Sequence, residues 1–283
     1  MKKNSRETEG GFRSKAGKFA APALVVVLLL VLYVPVFIWL VGVWLASPYF
    51  GHGFLIVPIS GFIVWWKRKE LALGEPSSLG LPVLVVGVVL YIWGFLSLMR
   101  FLSALSLIVV LLGLVLYIGG KKFARTLAFP VLFLVFAIPL PFLDGLGIFL
   151  QSLTTRLSAA AVDIMGFSVA VTGAEIRLPN SAFVIGLPCS GMSTLISLLM
   201  LAALLGYLLK GGVYKRGLLF LLAFPVAIFA NTVRVVSLLL IGYHWGVDVA
   251  MTYFHDYSSL VFYLVAMLFL GLTARLLGCR LRV

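Results

Sequence analysis

Gly186-Leu187-Pro188-Cys189-Ser190-Gly191-Met192-Ser193 opens a run that continues without a charged residue to Leu209. A stretch of that length and apolarity is long enough to cross a bilayer core as a helix. Pro188 suits a helix start, where its missing N–H would be unpaired anyway. Cys189 is therefore expected in the first turn of a transmembrane helix, at the partly positive end that favours a thiolate over a thiol.

Working outward, similar runs recur along all 283 residues, and 63% of the chain is hydrophobic. The fold class expected is an all-α polytopic membrane protein with about eight transmembrane helices. They are placed at about 19–46, 54–66, 79–99, 101–119, 124–143, 189–209, 217–240 and 257–277. The first is too long for a signal-peptide core and lacks a clear cleavage site, so it is expected to be retained. Residues 1–18 form a basic cytoplasmic tail, and 19–283 a single integral membrane domain.

Charge supports this order. The net charge is +13, yet the basic residues sit between the apolar runs, as positive-inside topology requires, so nucleic acid is not an expected partner. Eighteen of the 22 Lys and Arg fall on the side assigned to the cytoplasm, both termini included. Asp144, Asp163, Glu175, Asp248 and Asp256 fall on the other side. Two cysteines, Cys189 and Cys279, lie on opposite sides and should not pair.

Two outer segments break the pattern. Residues 145–166 mix Gln151, Thr154, Thr155, Arg156, Ser158 and Asp163 with Leu, Ile, Phe and Val, which suits a helix lying in the outer interface. Residues 174–178 and 182–185 alternate about Pro179-Asn180-Ser181 and read as a small outer β-hairpin.

Two residues beyond Cys189 are costly in a membrane. Arg234 lies inside the seventh run, about two turns (roughly 9 Å) from its expected outer end. His255 precedes the eighth run. The expected topology brings Cys189, Arg234 and His255 to the outer third of the bilayer on three consecutive helices. Their chemistry fits acyl transfer: a thiolate nucleophile, a histidine acid/base and a fixed guanidinium for the oxyanion. Asn231, one turn before Arg234, is a supporting partner. Ser190 and His52 are further candidates near the site. No metal site is expected, since the three histidines lack ligand spacing with carboxylates, and no cofactor fingerprint occurs.

Pro188-Cys189-Ser190-Gly191, Asn231-Thr232-Val233-Arg234 and Phe254-His255-Asp256 resemble the three motifs of the exosortase/archaeosortase family. Tyr49-Phe50-Gly51-His52-Gly53-Phe54-Leu55 and Trp65-Trp66-Lys67-Arg68-Lys69 resemble the N-terminal signature of its bacterial branch. The resemblance extends over roughly residues 44–277. It implies a membrane-embedded, sortase-like cysteine transpeptidase of the inner membrane, with its site facing outward. The implied substrates are exported proteins with a C-terminal tripartite signal: a short motif such as Pro-Glu-Pro, a transmembrane helix and a basic tail. The implied acceptor is lipid- or polysaccharide-linked at the cell surface. By the same resemblance Cys189 is the nucleophile, Arg234 the oxyanion or substrate stabiliser and His255 the acid/base. No appended soluble domain is expected after the last span. Two other readings stand beside it. One is a transporter or flippase for a lipid-linked saccharide, with Arg234 and His255 binding an anionic head group. The other is a non-catalytic assembly scaffold, which would tolerate Cys189→Ser.

Overall fold

The architecture is that of a computed structural model, which describes residues 5–47, 49–210, 212–278 and 280–281. The side chains of 5–23, 26, 210, 256 and 280–281 are outside that description, as is the expected position of Cys279.

The chain is helical almost throughout: α1 (Ser5–Ala46), α2 (Gly53–Trp66), α3 (Gly80–Leu96), α4 (Arg100–Phe133), α5 (Phe142–Ile164), α6 (Met192–Leu208), α7 (Val213–Trp245) and α8 (His255–Leu276). Among the described residues, four helices are long and apolar enough to cross a membrane: Val27–Ala46, Arg100–Ala137, Val213–Trp245 and Tyr257–Leu276. Gly80–Leu96 and Met192–Leu208 are apolar but shorter. The count of eight spans is thus not what the helix lengths give. The expected fourth and fifth spans run as one element, because helical backbone resumes directly after a break at Gly120 (φ 73°, ψ −176°). The expected N-terminal tail is helical from Ser5, the first described residue, and continues into the first expected span.

Small residues set how the helices meet. Gly80, Gly87 and Gly94 recur every seventh residue of α3, and a Cβ at each would overlap Tyr117, Val110 and Ser103 of α4 in turn. Gly113 of α4 approaches Leu84 in the same way. Backbones approach this closely only where side chains are absent, the packing mode of helices in lipid. Tyr33 of α1 joins the pair through Ser106, hydroxyl to hydroxyl at 2.8 Å. The Ser60 hydroxyl of α2 donates to the Pro130 carbonyl of α4 (2.5 Å), fastening the two helices side by side. Trp44 Nε1–H donates to the Ala137 carbonyl (2.8 Å), tying the end of α1 to the end of the α4 element.

The expected hairpin is present and is larger. β2 (Glu175–Leu178) and β3 (Ser181–Val184) pair antiparallel, with Ile176 opposite Phe183, and β1 (Ala170–Thr172) adds a third strand to β2. A short pair, β4 (Leu209–Lys210) with β5 (Arg280–Leu281), joins the far ends of α6 and α8. Phe183 presses on Gly242 of α7, and Asn180 Nδ2 donates to the Tyr243 carbonyl (2.8 Å). The sheet is thereby clamped on the last turns of α7.

The expected interfacial helix corresponds to α5, which exposes Arg156 and Asp163 and buries Leu150 and Val162. Thr154, Thr155 and Ser158 are buried, while Ile148, Phe149 and Ile164 are exposed. The buried hydroxyls of Thr154 and Thr155 serve hydrogen bonds inside the protein, to Ser190 O and Gln151 O.

Candidate active site

Leu187–Cys189 form one 3₁₀ turn, in which Cys189 N–H donates to Gly186 O (2.9 Å) and Ser190 N–H to Leu187 O (3.0 Å). Gly191 follows in the left-handed region (φ 86°, ψ 5°), and α6 starts at Met192. Cys189 is therefore not in the first turn of the transmembrane helix, as expected, but on a separate turn joined to it by a glycine. The Ser190 hydroxyl accepts the Met192 N–H at 3.3 Å.

Such a turn leaves carbonyls outside any helical ladder, and buried carbonyls need donors. Asn231 Nδ2 of α7 donates to the Cys189 carbonyl (3.0 Å) and to Thr154 Oγ1 (3.2 Å). The Thr154 hydroxyl of α5 donates to the Ser190 carbonyl (3.2 Å), and Gln151 Nε2, one turn away, donates to Ile185 O (2.6 Å). Two helices thus hold the cysteine turn by its backbone. Gly191 is required twice, by its positive φ and because a Cβ there would lie 2.8 Å from Asn231 Cγ and Nδ2.

Cys189 is half-buried, with its Sγ 3.3 Å from His255 Nε2. His255 reaches it because the connection folds back. Helix α7 ends at Trp245, Gly246 (φ 94°, ψ 155°) turns the chain, and the turns Val247–Val249 and Ala250–Phe254 return it to the start of α8. Arg234 is three turns, about 16 Å, from the end of α7 rather than two. The returning connection compensates for the extra depth. Arg234 is 6% exposed, and its Nε donates to the Ser258 hydroxyl (3.2 Å). Its Nη2 reaches the His255 carbonyl at 3.5 Å, and Ser258 Oγ donates to the same carbonyl at 3.0 Å. The guanidinium therefore holds the backbone of His255 directly and through Ser258. Cys189 and Arg234 also line one small cavity, closed by Phe183, Ile185, Leu238 and Met251, with about 20 Å³ of free volume. That is room for one water-sized group.

The structure thus brings Cys189, Arg234, His255 and Asn231 together. Ser190 is buried against the site, where its hydroxyl serves the start of α6 and its carbonyl receives Thr154. His52 is elsewhere: its Nε2–H donates to Phe136 O (3.2 Å), and this contact fastens the loop before α2 to the end of the α4 element. Burial pushes the His52 imidazole below its ordinary value, against the pull of the Phe136 and Tyr49 carbonyls. From the same loop it is Tyr49 that approaches the cysteine turn, its hydroxyl near Ser190 and Cys189. Sequence reading missed Gln151 and Thr154. Their signal was the spacing of Gln151, Thr154 and Ser158, one polar stripe on a helix otherwise rich in large apolar residues.

Compared with known families, residues 44–272 match the model of the transmembrane exosortases. No curated protein and no solved structure matches the chain.

Proposed function

The chain belongs to the transmembrane exosortase family, and on that footing we propose that it is a cysteine transpeptidase with Cys189 as nucleophile. The observation that carries this is the 3.3 Å approach of Cys189 Sγ to His255 Nε2. A nucleophile and a base within hydrogen-bond reach are the minimal apparatus of thiol acyl transfer. The proposed substrates are exported membrane proteins with a short motif, a transmembrane helix and a basic tail at the C-terminus.

In the first half-reaction His255 Nε2 takes the Sγ proton and the sulfur attacks the scissile carbonyl carbon. The carbonyl oxygen becomes an oxyanion at the small cavity, where the Arg234 guanidinium opposes its charge. The C–N bond breaks, the amine leaves with the proton held by His255, and a thioester remains on Cys189. In the second half, an amine or hydroxyl of a lipid- or polysaccharide-linked acceptor, or water, gives its proton to His255 and attacks the thioester. The thiol is then regenerated. Asn231 and Thr154 hold the turn so that Sγ keeps its place through both halves.

The proposed setting is the inner membrane, with both termini cytoplasmic and the site facing outward. Eight crossings remain the proposed topology, with α2, α3 and α6 as short crossings and Gly120 as a cytoplasmic turn. In support, the half of α4 before Gly120 packs on α3 and α1, whereas the half after it meets α2 at Pro130 and α6 where Phe129 stacks on Tyr207.

The test is co-expression with an exported reporter carrying a Pro-Glu-Pro motif, an apolar helix and a basic tail, followed by immunoblot for tail removal. Wild type should process it. Cys189→Ala, Cys189→Ser, Arg234→Ala and His255→Ala, at matched membrane levels, should not. Processing by Cys189→Ala would remove the nucleophile assignment and reopen the transporter and scaffold readings.

A further inference from the structure

A groove runs along the seam of α7 and α8, walled by Pro225, Phe229 and Val233 on one side and Phe262, Val265 and Phe269 on the other. Its free volume is about 400 Å³. Ala230 and Ala266, both buried, form its floor, so the middle of the seam is low and its rims are aromatic. Leu222 and Val233, at the two ends of the α7 wall, lie about 16 Å apart along the axis, or three helical turns.

The groove leads to the catalytic pair. His255, Ser258, Phe262, Val265 and Phe269 follow one another at intervals of three and four residues, which places them on one stripe of α8. The upper two are the partners of Cys189 and Arg234, and the lower three are groove wall. On α7, Val233 directly precedes Arg234. Both helices are long and apolar enough to cross the membrane.

We propose that this groove seats the transmembrane helix of the substrate, so that the peptide bond just outside that helix arrives at Cys189. This rests on the peptidase reading above and names how its substrate is held. The occupant is a helix because the seam is long enough for side chains from three successive turns and offers no polar partner along its walls. An apolar helix laid in a groove presents positions i, i+3, i+4 and i+7 to it. Small residues on the floor allow close approach, the main source of attraction between helices in lipid. Binding energy gathered along the groove would position a bond that lies beyond its end.

The experiment uses the full-length protein in membranes. A photoreactive phenylalanine is placed at Phe229 or Phe262 in the groove, or at the exposed control positions Leu221 and Leu264, all in a Cys189→Ala background. The probe is the exported reporter, its helix built from about 20 leucine and alanine residues. Groove positions should give reporter adducts about tenfold above the controls, a preference that one specific contact surface supplies. Equal yields at all four positions, lipid adducts only, adducts only to a second copy of this chain, or no adduct would each overturn the groove. Wild-type processing of the same reporter is scored alongside. Groove adducts without wild-type cleavage would stand against the peptidase reading while leaving the groove intact. Cleavage without groove adducts would do the reverse.

Discussion

Gly191→Ala and Asn231→Ala should be strongly coupled, and the coupling can be worked from geometry. At φ 86° an alanine is in the left-handed region, which costs about 1–2 kcal/mol. Its Cβ would lie 2.8 Å from Asn231 Cγ, so Asn231 must move and lose its bonds to the Cys189 carbonyl and Thr154. Two such bonds contribute roughly 1–3 kcal/mol together. Gly191→Ala therefore costs about 2–5 kcal/mol, and Asn231→Ala alone about 1–3 kcal/mol. With Asn231 already truncated, the overlap with Cγ and Nδ2 and the lost bonds have no further effect, and what remains is the left-handed backbone strain of the introduced alanine and its 3.0 Å approach to Cβ of residue 231. The double variant should thus be more stable than the sum of the singles by about 1–3 kcal/mol, the size seen for residues in contact. Thermal unfolding of the four purified proteins in detergent measures this. Losses in Tm that add within error would refute the claim that Gly191 is required because Asn231 occupies its Cβ position.

Thr154→Val removes the donor to the Ser190 carbonyl and leaves that buried group unsatisfied, at a cost of about 1–3 kcal/mol. It should lower kcat more than it raises KM, with Thr154→Ser restoring activity; a variant with wild-type kcat would show that the turn does not depend on α5. His52 is held below its ordinary value of 6.5, so the unfolded chain binds the proton first as pH falls. Its contribution is full above that value and is lost as pH drops toward the lowered one, and His52→Asn should flatten that part of a Tm-versus-pH profile. An unchanged slope would place the titration elsewhere. Gly87→Leu sets a Cβ 2.6 Å from Val110 Cγ2 and 2.8 Å from Val110 N of the facing helix, whereas Gly42 has nothing within 4 Å. Gly87→Leu should abolish the monodisperse folded peak on size exclusion and Gly42→Leu should preserve it; equal behaviour would deny the glycine seam.

Much of this molecule was legible in its residues. The apolar runs announced membrane helices, and the alternation about Pro179-Asn180-Ser181 announced β2 and β3. Three polar residues in otherwise apolar surroundings announced the juxtaposition of Cys189, Arg234 and His255. What escaped has physical causes. Composition cannot distinguish a polar stripe facing water from one facing protein, so Gln151, Thr154 and Ser158 read as an interfacial face. Apolar length does not report a break that a single residue makes, so Gly120 turns two expected spans into one interrupted element. Pro188 looked like the start of α6, but Gly191 in a left-handed conformation divides that segment into a cysteine-bearing turn and a helix. Loop direction is also invisible locally: the return of residues 247–254 along α7 is what lets His255 meet a cysteine next to a deeply placed arginine.

The most direct measurement is capture of the acyl-enzyme. Wild type is mixed with the reporter in detergent, quenched in acid, digested and examined by mass spectrometry. A thioester-linked reporter fragment on the peptide containing Cys189, released by hydroxylamine and absent from Cys189→Ala, is the expected result. Cleavage of the reporter with no adduct on Cys189, and undiminished in Cys189→Ala, would contradict the assignment of this cysteine as the nucleophile.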